Sequence, residues 1–326
     1  MKKIKFLLLL IIPVMFLSTF MPKVQTKNTF AQSERVFLGG YPVGITINSR
    51  GAEVVGVCDV VCGEKIYSPS KDADIKTGDV ILKINQTEVN NAIDIANAIK
   101  DGQTKIIELV REDNILITNI KPQKDNSGEY KLGLFIKNGI NGIGTVTYFT
   151  TEKIACLGHP VLGQKNEIVD CSDGEIFSCD ITSVVKGVRG RPGELRGSFN
   201  QKKHIGEVKS NKINGIYGNL TDLTILPLLE VETSTPQMGN ASIYTTTNGN
   251  TPEKYDISII KYDKDIEDKN LVIKITDKRL LEISNGIVQG MSGSPIVQNG
   301  KLVGAVTHVF INDPTRGFGI SIENMM

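Results

Sequence analysis

The segment Gly290-Met291-Ser292-Gly293-Ser294-Pro295-Ile296 has the composition needed to expose a reactive serine. Glycines let the backbone turn tightly and bring its N–H groups close to a substrate carbonyl. Ser292 stands at the apex, where its hydroxyl can attack an acyl carbon. The N–H groups of Gly290 and Ser292 are the candidates for stabilising the oxyanion that such attack creates. Ser294 is the alternative nucleophile. A glycine-rich hairpin without chemistry would give the same few letters.

A serine hydroxyl needs a base to take its proton. The chain has three histidines, so the search is short. His159 ends the apolar run Ala155-Cys156-Leu157 and precedes a turn, a position that projects a side chain into a cleft. It is the candidate base. His204, in Gln201-Lys202-Lys203-His204, reads as part of a solvated polar loop, and His308 reads as a wall of the cleft. An acid should orient the base, and Asp277 is the candidate. Asp170, Asp180 and Asp313 are rivals, and Asp277 also reads as a turn or cap residue paired with Arg279.

These groups need a scaffold. Ile296-Val297, then Gln298-Asn299-Gly300, then Leu302 to Val306 reads as a hairpin behind the serine loop, with Asn-Gly as the turn signal. From residue 125 to 326, short β-rich segments alternate with glycine turns, including 142–149, 154–157, 176–185, 215–220, 255–261 and 271–275. Many short strands with little helical periodicity predict a mainly β domain, two small barrels packed together. Residues 35–124 form a separate pattern. It has strands at 45–47, 54–61 and 80–84, then a helix capped by Asn91 with Ala92, Ile93, Ala96 and Ile99 on one face, then a hairpin over 106–120.

Residues 1–34 read as a signal peptide or membrane anchor followed by a linker. A basic start precedes an apolar run from Phe6 to Met21, and Thr29-Phe30-Ala31 resembles a signal-peptidase site. The rest of the chain is therefore expected outside the cytoplasm. A net charge of +1 gives no reason to expect a nucleic-acid partner. Cys58 with Cys62, and Cys171 with Cys179, are close enough in sequence to pair, but five cysteines leave one over. Their spacing and the scarcity of histidine do not suggest zinc. No metal and no cofactor are expected.

The run Ala73-Asp74-Ile75, Gly78-Asp79-Val80-Ile81 and Ile84-Asn85, with its following helix, resembles a PDZ domain. That resemblance implies a peptide-binding loop and strand at Gly40, Val43, Gly44 and Ile45, where a partner's terminal carboxylate would sit. Pro42 removes one donor from this loop. The serine segment resembles the trypsin pattern Gly-Asp-Ser-Gly-Gly-Pro, with Met291 in place of the aspartate and Ser294 in place of the second glycine. The fold this implies is an N-terminal PDZ-like domain followed by a chymotrypsin-like double β-barrel.

An export segment, a PDZ-like block and a trypsin-like motif, in that order, resemble the stage IV sporulation protein B (SpoIVB) serine peptidases. The stretches Leu271 to Asp277, Gly286 to Lys301 and Gly304 to Thr315 carry that resemblance. It implies an exported serine endopeptidase of the forespore intermembrane space, with His159, Asp277 and Ser292 as its triad. Its partners would be itself, as substrate for self-cleavage, and a membrane-surface protein that regulates a membrane-embedded protease. Cutting that regulator would lead to activation of a mother-cell sigma factor. A non-catalytic adaptor with an inactive protease-like domain is the competing reading. The presence of all three triad candidates weighs against it.

Overall fold

The computed structural model describes residues 34–137, 139–163 and 166–326. The expected export segment and cleavage site lie outside the described residues. No helix among the described residues is long and apolar enough to cross a membrane.

Two six-stranded antiparallel barrels dominate. The first closes through Pro42–Ser49, Ile140–Phe149, Lys153–Cys156, Gly215–Leu220, Glu194–Lys212 and Cys171–Val185, each paired with the next and the last with the first. The second closes through Gly239–Thr245, Glu253–Tyr262, Leu271–Ile275, Asp313–Ser321, Lys301–Phe310 and Pro295–Gln298. Alternating side chains fill each interior. Val43, Ile45, Val146 and Ile176 lie in the first core, and Ile243, Ile257, Ile273 and Val306 in the second. Closure leaves neither barrel a free edge. This is the double barrel expected from the strand pattern, and the chymotrypsin-like fold that the serine motif's resemblance implies.

A smaller unit is inserted between the first two strands of the first barrel. Its sheet runs in the order Leu134–Ile136, Ala52–Val57, Val80–Ile84, Lys105–Arg111, Asn114–Ile120, and it has its own apolar core. Asn91 caps the helix Ala92–Ala98, its side chain accepting from the N–H groups of Ile93 and Asp94. The buried face of that helix is Ile95 with the following Ile99, and Ile93 is 72% exposed. The helix therefore sits rotated from the face expected. Asp79 is buried and accepts from Arg111 Nε at 2.7 Å and Nη2 at 2.8 Å. A buried carboxylate needs such pairing to offset its desolvation.

The insertion corrects two expectations. Residues 35–49 belong to the first barrel's sheet, so the separate unit runs from about the strand Ala52–Val57 to the strand Leu134–Ile136. The expected peptide site also falls in barrel. Val43, Gly44 and Ile45 lie in Pro42–Ser49, which is hydrogen-bonded to a strand on either side. Gly44 is bare so that the Phe199 ring can lie against it, a Cβ there falling 2.5 Å from ring carbons. The Gly40 N–H is given to Val146 O at 2.7 Å, and its carbonyl accepts from Thr246 Oγ1 at 3.1 Å. Neither loop nor strand edge is left for a peptide terminus.

His204 likewise stands in a strand, Glu194–Lys212, rather than in a loop. All five cysteines are free thiols. Burial pushes the Cys171 and Cys179 thiols up to about 11, and Cys156 is also raised. They act as small core and half-buried residues rather than as staples.

Candidate active site

The serine loop is shaped by two glycines in conformations that other residues avoid, Gly290 at φ 95° and Gly293 at φ 94°. Between them Met291 is fully buried in the second barrel's core and anchors the loop. The hairpin behind it forms as expected, with Asn299 and Gly300 both at positive φ in the turn. Gly293 N–H donates to Val306 O, and Val306 N–H to Ser294 O.

The other barrel holds this loop from its far side. Thr145 N–H donates to Ser292 O at 3.0 Å, Thr145 Oγ1 to Gly290 O at 2.8 Å, and Thr147 Oγ1 to Gly293 O at 2.8 Å. Two threonines spaced i, i+2 in the strand Ile140–Phe149 face the same way, which is why both can reach the loop. With these carbonyls held, the N–H groups of Gly290 and Ser292 have no acceptor among the described residues. They match the oxyanion donors expected from the sequence.

His159 is aimed by a sharp turn. The strand Lys153–Cys156 ends in Leu157 and Gly158, both at φ 70°. Leucine is strained there. The bare Gly144 gives its side chain room, since a Cβ on Gly144 would fall 2.2 Å from Leu157 Cδ2. His159 Nδ1 lies 2.8 Å from Pro160 O. A carbonyl only accepts, so Nδ1 carries the proton and Nε2 keeps the lone pair that a base requires. Burial lowers the His159 pKa, the Pro160 hydrogen bond works against that fall, and Lys269 adds to it. Its basic form therefore persists below the usual imidazole range.

Ser292 and His159 line one cavity of about 580 Å3. His308 lines it too, along with Leu157, Ile143, Val161, Ile287, Val288, Val309 and Ile311. No carboxylate borders it among the described residues. Ser292 Oγ donates to Thr307 O at 2.7 Å, so the hydroxyl must rotate to hand its proton to His159. Ser294 is fully buried with no partner for its Oγ and does not line the cavity, which leaves Ser292 as the nucleophile the geometry favours.

Asp277 does not border this cavity. It caps the helix Lys278–Ser284, accepting from the N–H groups of Arg279 and Leu280 and from Asp256 N–H, and it pairs with Arg279 at 3.0 Å. Burial raises its pKa, but the bonds from Arg279 and those backbone groups outweigh this and hold the carboxyl below its usual value. None of these partners is His159. The cap role, open in the sequence, is present in the structure. Asp313 is paired with Thr315 and Arg316, and neither it nor Asp170 nor Asp180 borders the cavity.

One prediction separates the two roles. Asparagine caps helices as well as aspartate does. A cap role alone predicts that Asp277→Asn keeps near-native activity, while Asp277→Ala lowers stability by about 1 kcal/mol. An acid that orients the base would instead show a rate loss of about 10⁴-fold on the same asparagine change. Measuring probe-labelling rates for both variants decides it.

The model of the SpoIVB peptidase S55 family matches residues 128–326, more than half of the chain. Among solved structures, the chain is similar to the Rv3671c protease in an inactive form, with 14% identity and a TM-score of 0.32 over 57% of this chain and 80% of that one. It is also similar to Rv3671c from M. tuberculosis H37Rv as a serine-to-alanine mutant in an inactive form, with 11% identity and a TM-score of 0.32 over 56% and 78%.

Proposed function

The chain belongs to the SpoIVB peptidase S55 family, and from that premise we propose that it is a serine endopeptidase of sporulation signalling. In this reading His159 takes the proton of Ser292 as Oγ attacks the scissile carbonyl. Gly290 and Ser292 N–H groups stabilise the oxyanion. The protonated His159 then gives its proton to the leaving amine, and water hydrolyses the acyl-enzyme by the reverse relay. The observation that carries this reading is the shared cavity of Ser292 and His159, with two unused N–H groups beside the serine.

The enzyme works outside the cytoplasmic membrane, in the space between the two sporulation membranes, and its apolar N-terminal run supports export. It cuts copies of itself, and then a membrane-surface regulator of a membrane-embedded protease, so that a mother-cell sigma factor becomes active. For protein capture the inserted PDZ-like unit offers the strand Asn114–Ile120, paired on one side only, with Ile115 64% and Ile117 70% exposed. Such an edge supports strand addition by an extended peptide.

The cavity walls are aliphatic, so the side chain beside the cut is expected to be large and apolar. The test is to incubate the native chain with Ser292→Ala chain as substrate and map new termini by mass spectrometry. Cuts next to leucine-, isoleucine- or phenylalanine-like residues are expected. An intact substrate would remove the endopeptidase reading, and cuts equally frequent beside lysine or glutamate would remove the apolar preference.

A further inference from the structure

A second cavity, of about 630 Å3, opens beside the first barrel. The strand Glu194–Lys212 forms its wall where its own pairing breaks. Asn200 stands opposite Ser178 and His204 opposite Phe177, so residues 201–203 have no partners across that ladder. A bulge of this kind re-aims side chains. In a regular strand Lys202 and Lys203 would point to opposite faces, yet both line this cavity. Lys202 N–H donates to Asn200 Oδ1 at 3.2 Å, which closes the start of the bulge.

The positive charge gathered here is not neutralised. The ion pairs on this strand are those of Arg196 with Glu194 and Lys209 with Glu207, and Lys202 and Lys203 have none among the described residues. Asp222 is the one carboxylate that lines the cavity among the described residues. It accepts from Thr224 Oγ1 at 2.6 Å and from Thr224 N–H at 2.9 Å. The hydroxyl first, then the N–H, hold its carboxyl below the usual range against burial, and neither lysine contributes.

The wall also holds polar atoms without a protein partner. Ser178, across the ladder from the bulge, lines the cavity and is only 7% exposed, and its Oγ has no hydrogen bond among the described residues. His204, where pairing resumes, has Nδ1 3.1 Å from Thr221 Oγ1, while its Nε2 is buried and unpartnered. Buried polar groups left unpaired call for a reason.

We propose that this cavity binds a small organic phosphomonoester. Lys202 and Lys203 meet the phosphate dianion as point charges, and Ser178 donates its hydroxyl to a phosphate oxygen. Cavities of about 300–1,000 Å3 hold small organic molecules, so a bare phosphate would leave most of this one unfilled. The organic body lies against Pro42, Leu226 and Pro227. Asn250 and Thr251 reach the cavity from the loop between Gly239–Thr245 and Glu253–Tyr262, so the ligand touches both barrels. No residue lines both this cavity and that of Ser292, and the binding is independent of the peptidase chemistry.

The experiment is calorimetric titration of the full native chain at fixed ionic strength. The probes are glycerol 3-phosphate, inorganic phosphate, acetate, and phosphatidic acid in phosphatidylcholine vesicles. Glycerol 3-phosphate should bind and raise Tm by mass action, inorganic phosphate should bind more weakly, and acetate should not bind. Lys202→Gln and Lys203→Gln should each raise Kd about 10-fold, and Ser178→Ala about 5-fold. Each variant should keep the native rate of fluorophosphonate labelling, which reports that it is folded.

An unchanged Kd in Ser178→Ala would mean that exposed lysines attract anions without using the cavity, and would overturn the proposal. Acetate binding as tightly as glycerol 3-phosphate would reduce the effect to charge alone, with the same result. Binding to the vesicles alone would place the phosphate on a membrane surface and overturn the small-molecule ligand. No binding of glycerol 3-phosphate at millimolar concentration would also overturn it. If Ser178→Ala fails to fold, the two lysine variants decide, since an unchanged Kd in both together removes the site.

Discussion

Ser292→Ala is expected to abolish fluorophosphonate labelling and to lower peptide cleavage by on the order of 10⁶-fold. The hydroxyl is the only atom lost, and the loop that carries it is fixed by contacts that do not use it. Met291 stays buried, Thr145 still holds the carbonyls of Gly290 and Ser292, and Thr147 still holds Gly293. The variant should therefore keep the native fold. The Ser292 hydroxyl's bond to Thr307 O lies half-buried at the cavity wall, where loss of one neutral hydrogen bond costs only about 1 kcal/mol. Any residual cleavage would come from the oxyanion donors and binding alone. Native-like cleavage by Ser292→Ala, measured on purified chain, would move the nucleophile elsewhere.

Gly293→Ala should be the most damaging single methyl in the site. A Cβ there would lie 2.0 Å from Thr145 O and 2.6 Å from Leu157 N, both backbone atoms that cannot step aside. The residue's φ of 94° is also strained for any side chain. Strain and overpacking together are expected to cost about 2–6 kcal/mol. The clash falls on the seam where the first barrel's strand Ile140–Phe149, the His159 turn and the serine loop converge. Activity should fall with stability rather than after it. Calorimetry should show Tm lowered by roughly 10 °C, with labelling largely lost. A variant that kept both its Tm and its labelling rate would mean that this seam does not position the site.

Much of this was legible in the chain itself. The serine loop, the Asn299-Gly300 turn, the strand Gly215–Leu220 and the cap at Asn91 follow from local rules, because each is decided by residues within a few positions. His159 could be reached by elimination among three histidines. What escaped depends on partners far along the chain. Pro42–Ser49 reads as a strand whichever sheet it joins, and its partner Ile140–Phe149 starts 91 positions after it ends (140 − 49). Asp277 satisfied two local readings, orienting acid and helix cap, and the residues near it in sequence decide only the cap.

Thr145 and Thr147 did leave a trace, two hydroxyls on one face of the strand's buried half, which is what a buried polar clamp looks like in one dimension. The helix face was misjudged because Ile93 is apolar yet points to solvent, so periodicity over seven residues was too short to fix the phase.

The inserted unit leaves and re-enters its barrel through adjacent strands, with Ile47 opposite Ile140. A backbone cut anywhere between them would not release either piece. The amino-terminal fragment would stay clamped by six residue pairs to Ile140–Phe149 and seven to Cys171–Val185. Such a nicked molecule would run as one species on a native gel and as two in detergent. Scission there would turn a tethered arm into a two-chain assembly, freeing the arm's loose end to swing while leaving the barrels whole.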